Sequence, residues 1–102
     1  MSKHGHSVEF DRVTWWIKFT GGKCLPEGDD GSCDPRSKKG RKWIYIRSGL
    51  DAKTELETIL HETAHAADQR ACEESIEEQG RVQAQLIWDM GWRPQGYKDP
   101  EE

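Results

Sequence analysis

Apolar and polar side chains alternate from Val13 to Phe19, with Val13, Trp15, Ile17 and Phe19 on one side and Thr14, Trp16 and Lys18 on the other. A period of two is that of a strand with one buried face, and Gly21-Gly22 ends it. The alternation returns over Lys42 to Arg47, where Ile44 and Ile46 share one side and Trp43 and Tyr45 the other, before Ser48-Gly49 closes it. Between the two strands lie roughly twenty residues rich in Gly, Pro, Asp, Ser and Lys, without periodicity. A connection that long in a compact domain is usually functional or flexible.

The period then changes. Residues 52–67 contain no Gly or Pro, Asp51 is placed to be an N-cap, and Lys53, Leu56, Glu57 and Leu60 favour a helix. On a helical wheel Leu56, Leu60, Thr63 and Ala67 form one stripe, expected to pack on the strands, with His61 and His65 on the opposite side. A turn around residues 68–72 leads to a second helix from about Glu73 to Met90, stopped by Gly91. Its inward face is read as Ile76, Gly80, Gln83, Ile87 and Met90, small enough at Gly80 for the helices to approach closely. Two strands are not stable alone. The pattern therefore predicts an α+β fold in which a two-stranded antiparallel hairpin packs on the first helix and on a second, antiparallel one. Residues 1–12 are read as a flexible N-terminus, 13–93 as the domain, and 94–102, with Pro94, Gly96 and Pro100, as a tail.

At 102 residues, with 33% hydrophobic and 33% charged side chains, the core is adequate but not generous, so a bound metal would add usefully to stability. Five tryptophans supply much of the apolar area. No apolar run reaches membrane-spanning length and no signal-peptide core is present, so a cytoplasmic location is expected and no membrane partner. Cys24, Cys33 and Cys72 lack metal-pair spacing and are read as free thiols in preference to a Cys24–Cys33 disulfide. Residues 1–50 hold ten basic and six acidic side chains, the remainder five and thirteen. Arg36, Lys38, Lys39, Arg41, Lys42 and Arg47 concentrate the positive charge. Nucleic-acid contact is one use of such a cluster; without an aromatic or motif context in the sequence, a solvated loop is the plainer one.

The chemistry is concentrated in His61-Glu62-Thr63-Ala64-His65, an HExxH run. On a helix its histidines lie one turn apart, so both imidazoles can reach one Zn²⁺. Glu62, one step around the cylinder, is placed to take a proton from a metal-bound water. Catalytic zinc takes three protein ligands, and the acids Glu73, Glu74, Glu77 and Glu78 are the candidates for the third. An antiparallel helix pair sets residues 73–75 opposite His65, and Glu73 lies about 60° from Ile76 on the inward side. Glu73 is therefore the expected ligand, with Glu74 in reserve. The same acids also suit the positive end of a helix dipole, and Ser75 with Glu78 has the form of a capping box.

The run Ile59 to Ala66, with Glu73-Glu74-Ser75-Ile76 and Leu86-Ile87-Trp88-Asp89-Met90-Gly91-Trp92, resembles the small zinc metallopeptidases encoded by phages and prophages, which are gluzincins. Cys33-Asp34 followed by Arg41 to Ile46 is similar to the turn and basic strand that precede the helix in that family. The likeness spans about residues 13–93. It implies a zincin-like domain, a Zn²⁺ cofactor held by His61, His65 and Glu73, Glu62 as general base, a peptide or protein substrate, and a bacterial host cytosol as the setting. Gln83 departs from the family, which places an apolar residue there. The alternative is a zinc-stabilised binding module without proteolytic activity, associated with nucleic acid through residues 36–47. A SprT-like protease would want a third histidine after the motif, and none follows His65. Tyr45, Arg47, His4 and Tyr97 are the candidates for stabilising an oxyanion, and the edge of the Lys42–Arg47 strand is a place for an extended peptide.

Overall fold

A computed structural model describes residues 5–21, 23 and 25–99. Four strands, β1 (Ser7–Phe10), β2 (Val13–Thr20), β3 (Gly31–Cys33) and β4 (Lys42–Arg47), are followed by helices α1 (Ala52–Ala67) and α2 (Glu73–Asp89). The sheet order is β1-β2-β4-β3. β2 and β4 are neighbours, as alternation suggested, but they run parallel, with Trp16 opposite Trp43 and Ile17 opposite Ile44. The expected antiparallel hairpin of these two strands is thus corrected to a mixed four-stranded sheet. The connection after β2 crosses to the far side of β4, lays down β3 antiparallel to it, and only then returns as β4.

The N-terminal boundary is corrected as well. Ser7–Phe10, read as part of a mobile start, pairs with β2 through a turn at Asp11 and Arg12, both with positive φ. Val8 and Phe10 add to the inner face.

One face of the sheet carries the core. Trp15, Ile44, Ile46 and Ala66 are fully buried, with Phe10, Val13, Ile17, Phe19, Leu50 and Ile59 packed around them. Each buried isoleucine stabilises by about 1.5–3 kcal/mol. Asp34 ties the crossover to this core: its carbonyl accepts the Trp15 indole N–H at 3.0 Å, and its carboxylate accepts the Trp43 N–H and the Lys38 ammonium, each at 2.8 Å.

α1 begins as the sequence indicated, with the Asp51 carboxylate accepting from Thr54 N at 3.0 Å. The stripe it buries differs from the expected one. Glu55, Thr58, Glu62 and Ala66 are buried, whereas Leu56, Leu60 and Thr63 are half-buried and Ala67 is exposed. The helix has neighbours on two sides, the sheet and α2, so its polar residues are enclosed as well as its leucines.

α2 packs on α1, not on the sheet. Ile76, Gly80 and Ala84 form its buried line; Gln83 and Met90 are exposed and Ile87 is half-buried. The apolar position missing at Gln83 is supplied one residue later by Ala84. A Cβ on Gly80 would sit 3.5 Å from His61 N and 3.6 Å from the Glu57 carbonyl, ordinary contact with the α1 backbone. One methyl fits there; a longer side chain would push the helices apart.

Candidate metal centre

His61 and His65 project from α1 toward the first residue of α2. The Glu73 carboxylate receives both: His61 Nε2 lies 2.8 Å from one oxygen and His65 Nε2 2.8 Å from the other. The two Nε2 atoms are 3.1 Å apart. A tetrahedral zinc with bonds of 2.0–2.1 Å requires ligand atoms roughly 3.3 Å apart; the two imidazole nitrogens lie within a few tenths of an ångström of that spacing, each with one Glu73 oxygen beside it. Two imidazoles and one carboxylate also match the donor chemistry of a catalytic zinc with an open position. The structure thus brings together the three residues picked from sequence.

Glu74 is exposed and outside this group. α2 starts at Glu73 with Cys72 as N-cap and no side-chain cap, so the Ser75–Glu78 capping box does not form. Glu73 stands in the first turn, where a carboxylate also meets the favourable end of the dipole.

Glu62, next to His61 on α1, faces β3. It is buried against Gly31 and Thr58 and shares a cleft of about 280 Å³ with Ser32, Cys33, Pro35, His65, Gln69 and Glu73. Burial pushes its carboxyl up to about 7; the neighbouring His61 opposes the rise, and the carboxylates of Glu73 and Asp29 add to it. Cys33, a free thiol like Cys72, is pushed up to about 12, chiefly by burial and then by Glu62 and Asp34. Its protonated state makes it a packing group beside the cleft. Cys24, and with it the alternative disulfide, lies outside the described residues.

A second cleft of about 290 Å³ lies on the other side of Glu73, lined by Asp30, Thr54, Glu57, Thr58, His61 and Glu77 as well. The cluster therefore sits between two concavities, beneath the free edge of β3.

Sequence reasoning missed the wall that β3 provides. A Cβ on Gly31 would fall 2.7 Å from Thr58 Cγ2 and 2.9 Å from Glu62 Cγ, so only glycine lets the strand lie this close to α1. Gly31→Val is expected to destabilise the fold by about 1–3 kcal/mol through overpacking against Thr58 and Glu62; chemical denaturation beside the parent would measure it. Gln69 was also missed. Its Nε2 donates to the His65 carbonyl at 2.7 Å and its Oε1 accepts the Arg36 N–H at 3.0 Å, joining the end of α1 to the β3–β4 loop.

Of the side chains named from sequence as oxyanion donors, Tyr45, Arg47 and Tyr97 line neither cleft. Tyr45 lies between Ile44 and Ile46 in β4 and so points to the opposite sheet face. Arg47 is held by Asp30 and the Asp29 carbonyl, Tyr97 stacks edge-on against Trp88, and His4 lies outside the described residues.

Compared with known proteins, the chain matches no family model, and no curated protein or solved structure is significantly similar to it. Among the described residues no helix is long and apolar enough to cross a membrane.

Proposed function

We propose that this small α+β protein is a zinc-dependent metallopeptidase of gluzincin type, with His61, His65 and Glu73 as ligands and Glu62 as general base. The observation that carries the reading is the convergence of both imidazole Nε2 atoms on the two oxygens of one carboxylate from the next helix. Zinc bound there supplies a Lewis acid and a water acidified toward neutrality.

The remaining work falls to the chain. Glu62 opens into the same cleft as His65 and Glu73, where its carboxylate accepts the proton of the attacking water and returns it to the leaving amine. Its enclosure between Gly31 and Thr58 restricts its rotamers, which holds the acceptor oxygen in place. A peptide needs an extended track past this point. β4 has neighbours on both sides, so the expected docking edge moves to β3, whose outer edge is unpaired among the described strands and borders the cleft. Main-chain pairing with Gly31–Cys33 would lay an extended substrate across the ligand cluster.

The test is digestion of an unstructured peptide library by zinc-loaded protein, read by mass spectrometry against a chelated control. Zinc-dependent internal cleavage is expected; an intact library at stoichiometric enzyme would overturn the reading.

A further inference from the structure

α1 covers one face of the sheet and α2 lies behind α1, so no described helix packs on the other face. Strand alternation puts Trp16 and Lys18 of β2 and Trp43, Tyr45 and Arg47 of β4 on that uncovered side, opposite to Trp15, Ile44 and Ile46. Trp16 and Trp43 are register partners on adjacent strands, which makes a double indole platform. The Arg41 guanidinium lies 4.9 Å from the Trp16 ring and 5.7 Å from that of Trp43, and the Lys18 ammonium 5.8 Å from the Trp43 ring. These groups, with Gly5 and Ile17, line a cleft of about 340 Å³.

The charge pairing separates these cations from their neighbours. Arg36, Lys38 and Arg47 are each bound to an aspartate, whereas Arg41 and Lys18 make no ion pair among the described residues. Both are exposed. Within the strands, the carboxylate that alternates onto this face is Glu9, opposite Thr14 near the far edge of the sheet. Half-buried rings beside unneutralised cations fit a ligand with both flat π-faces and regularly spaced anions.

We propose that this face binds single-stranded DNA, with bases stacking on Trp16 and Trp43 and phosphates drawn to Arg41 and Lys18. A duplex hides its base faces and an acidic peptide has none, so neither uses the indoles. Ring stacking and phosphate contacts call on nothing that a ribose 2′-hydroxyl supplies, so a deoxy strand meets every contact this cleft offers. Among the described residues the exposed Arg41 guanidinium is held by rings alone, a weak attachment that a phosphate contact readily replaces. This surface lies across the sheet from the ligand cluster and does not depend on the peptidase reading.

The experiment titrates the full chain with fluorescein-labelled oligothymidylate at low salt, following anisotropy and, with unlabelled strand, tryptophan quenching. Binding should weaken with salt, with a log–log slope of about −1.4 for two phosphates on a single strand. Trp43→Ala and Arg41→Glu should each reduce affinity about tenfold or more, while Arg81→Glu on exposed α2 leaves it unchanged. Arg41 is exposed, so its variant should keep the wild-type circular dichroism and gives a reading even if Trp43→Ala misfolds. Absence of binding at low salt would overturn the proposal, as would equal affinity for the duplex, indifference to Arg41→Glu, or equal quenching by polyglutamate. Tighter binding of oligouridylate would overturn the assignment to DNA.

Discussion

Zinc-loaded protein carrying Glu62→Gln is expected to lose peptide hydrolysis by about 10²–10⁴-fold, the usual contribution of a positioned general base, while holding zinc as tightly as the parent. The side chain keeps its length and its place against Gly31 and Thr58, so the cleft is unchanged. What disappears is the carboxylate oxygen to which the proposed mechanism gives the proton. The amide also removes a carboxyl whose ionisation is opposed by burial, so the variant should be at least as stable as the parent. Turnover on a cleaved peptide, measured beside metal content and a thermal melt, separates the roles. Unchanged turnover with normal zinc content would remove Glu62 from the mechanism.

The second large effect falls on Glu73. Glu73→Ala should weaken zinc binding by more than the 10–100-fold that loss of an outer-shell partner costs, because the carboxylate is the only donor that α2 contributes to the cluster. It is also 63% exposed, so its removal leaves no cavity. Without metal, the variant should therefore melt close to the metal-free parent. With metal present the parent alone should gain stability, by about 2.7 kcal/mol at a free zinc concentration one hundred times its dissociation constant. Among the described residues only six apolar side chains are buried, which makes such a gain a large share of the total. Equal zinc affinity in both proteins would exclude Glu73 as a ligand.

The two helices and the His61, His65 and Glu73 cluster were legible because they rest on local rules. Asp51 caps, the absence of Gly and Pro over 52–67 permits a continuous helix, and a short turn forces α2 back along α1. That return places Glu73 over the histidines. Strand pairing is not local in this sense. β3 is three residues long, too short to show a period, and it sits between two loops rich in Gly, Pro and Asp. With β3 unseen, β2 and β4 were free to be joined as a hairpin. β1 was hidden by its turn, since hairpins of this kind usually announce themselves with glycine or asparagine and here Asp11 and Arg12 take the positive φ angles.

The buried stripe of α1 was misplaced for a different reason. Hydrophobicity assigned the inward positions to Leu56 and Leu60, yet the residues facing the cleft and β3 include Thr58 and Glu62, polar groups enclosed beside the candidate site. A local rule broken at a buried glutamate is the kind of inconsistency that accompanies function. The platform of Trp16, Trp43 and Arg41 was equally out of reach, because it depends on the parallel register of β2 and β4.

X-ray absorption at the zinc edge, on protein loaded with one equivalent of metal, tests the central claim most directly. Two imidazole nitrogens and at least one carboxylate oxygen at about 2.0–2.1 Å, with no sulfur, are predicted for His61, His65 and Glu73. A sulfur shell near 2.3 Å, or a spectrum of hydrated zinc alone, would contradict it.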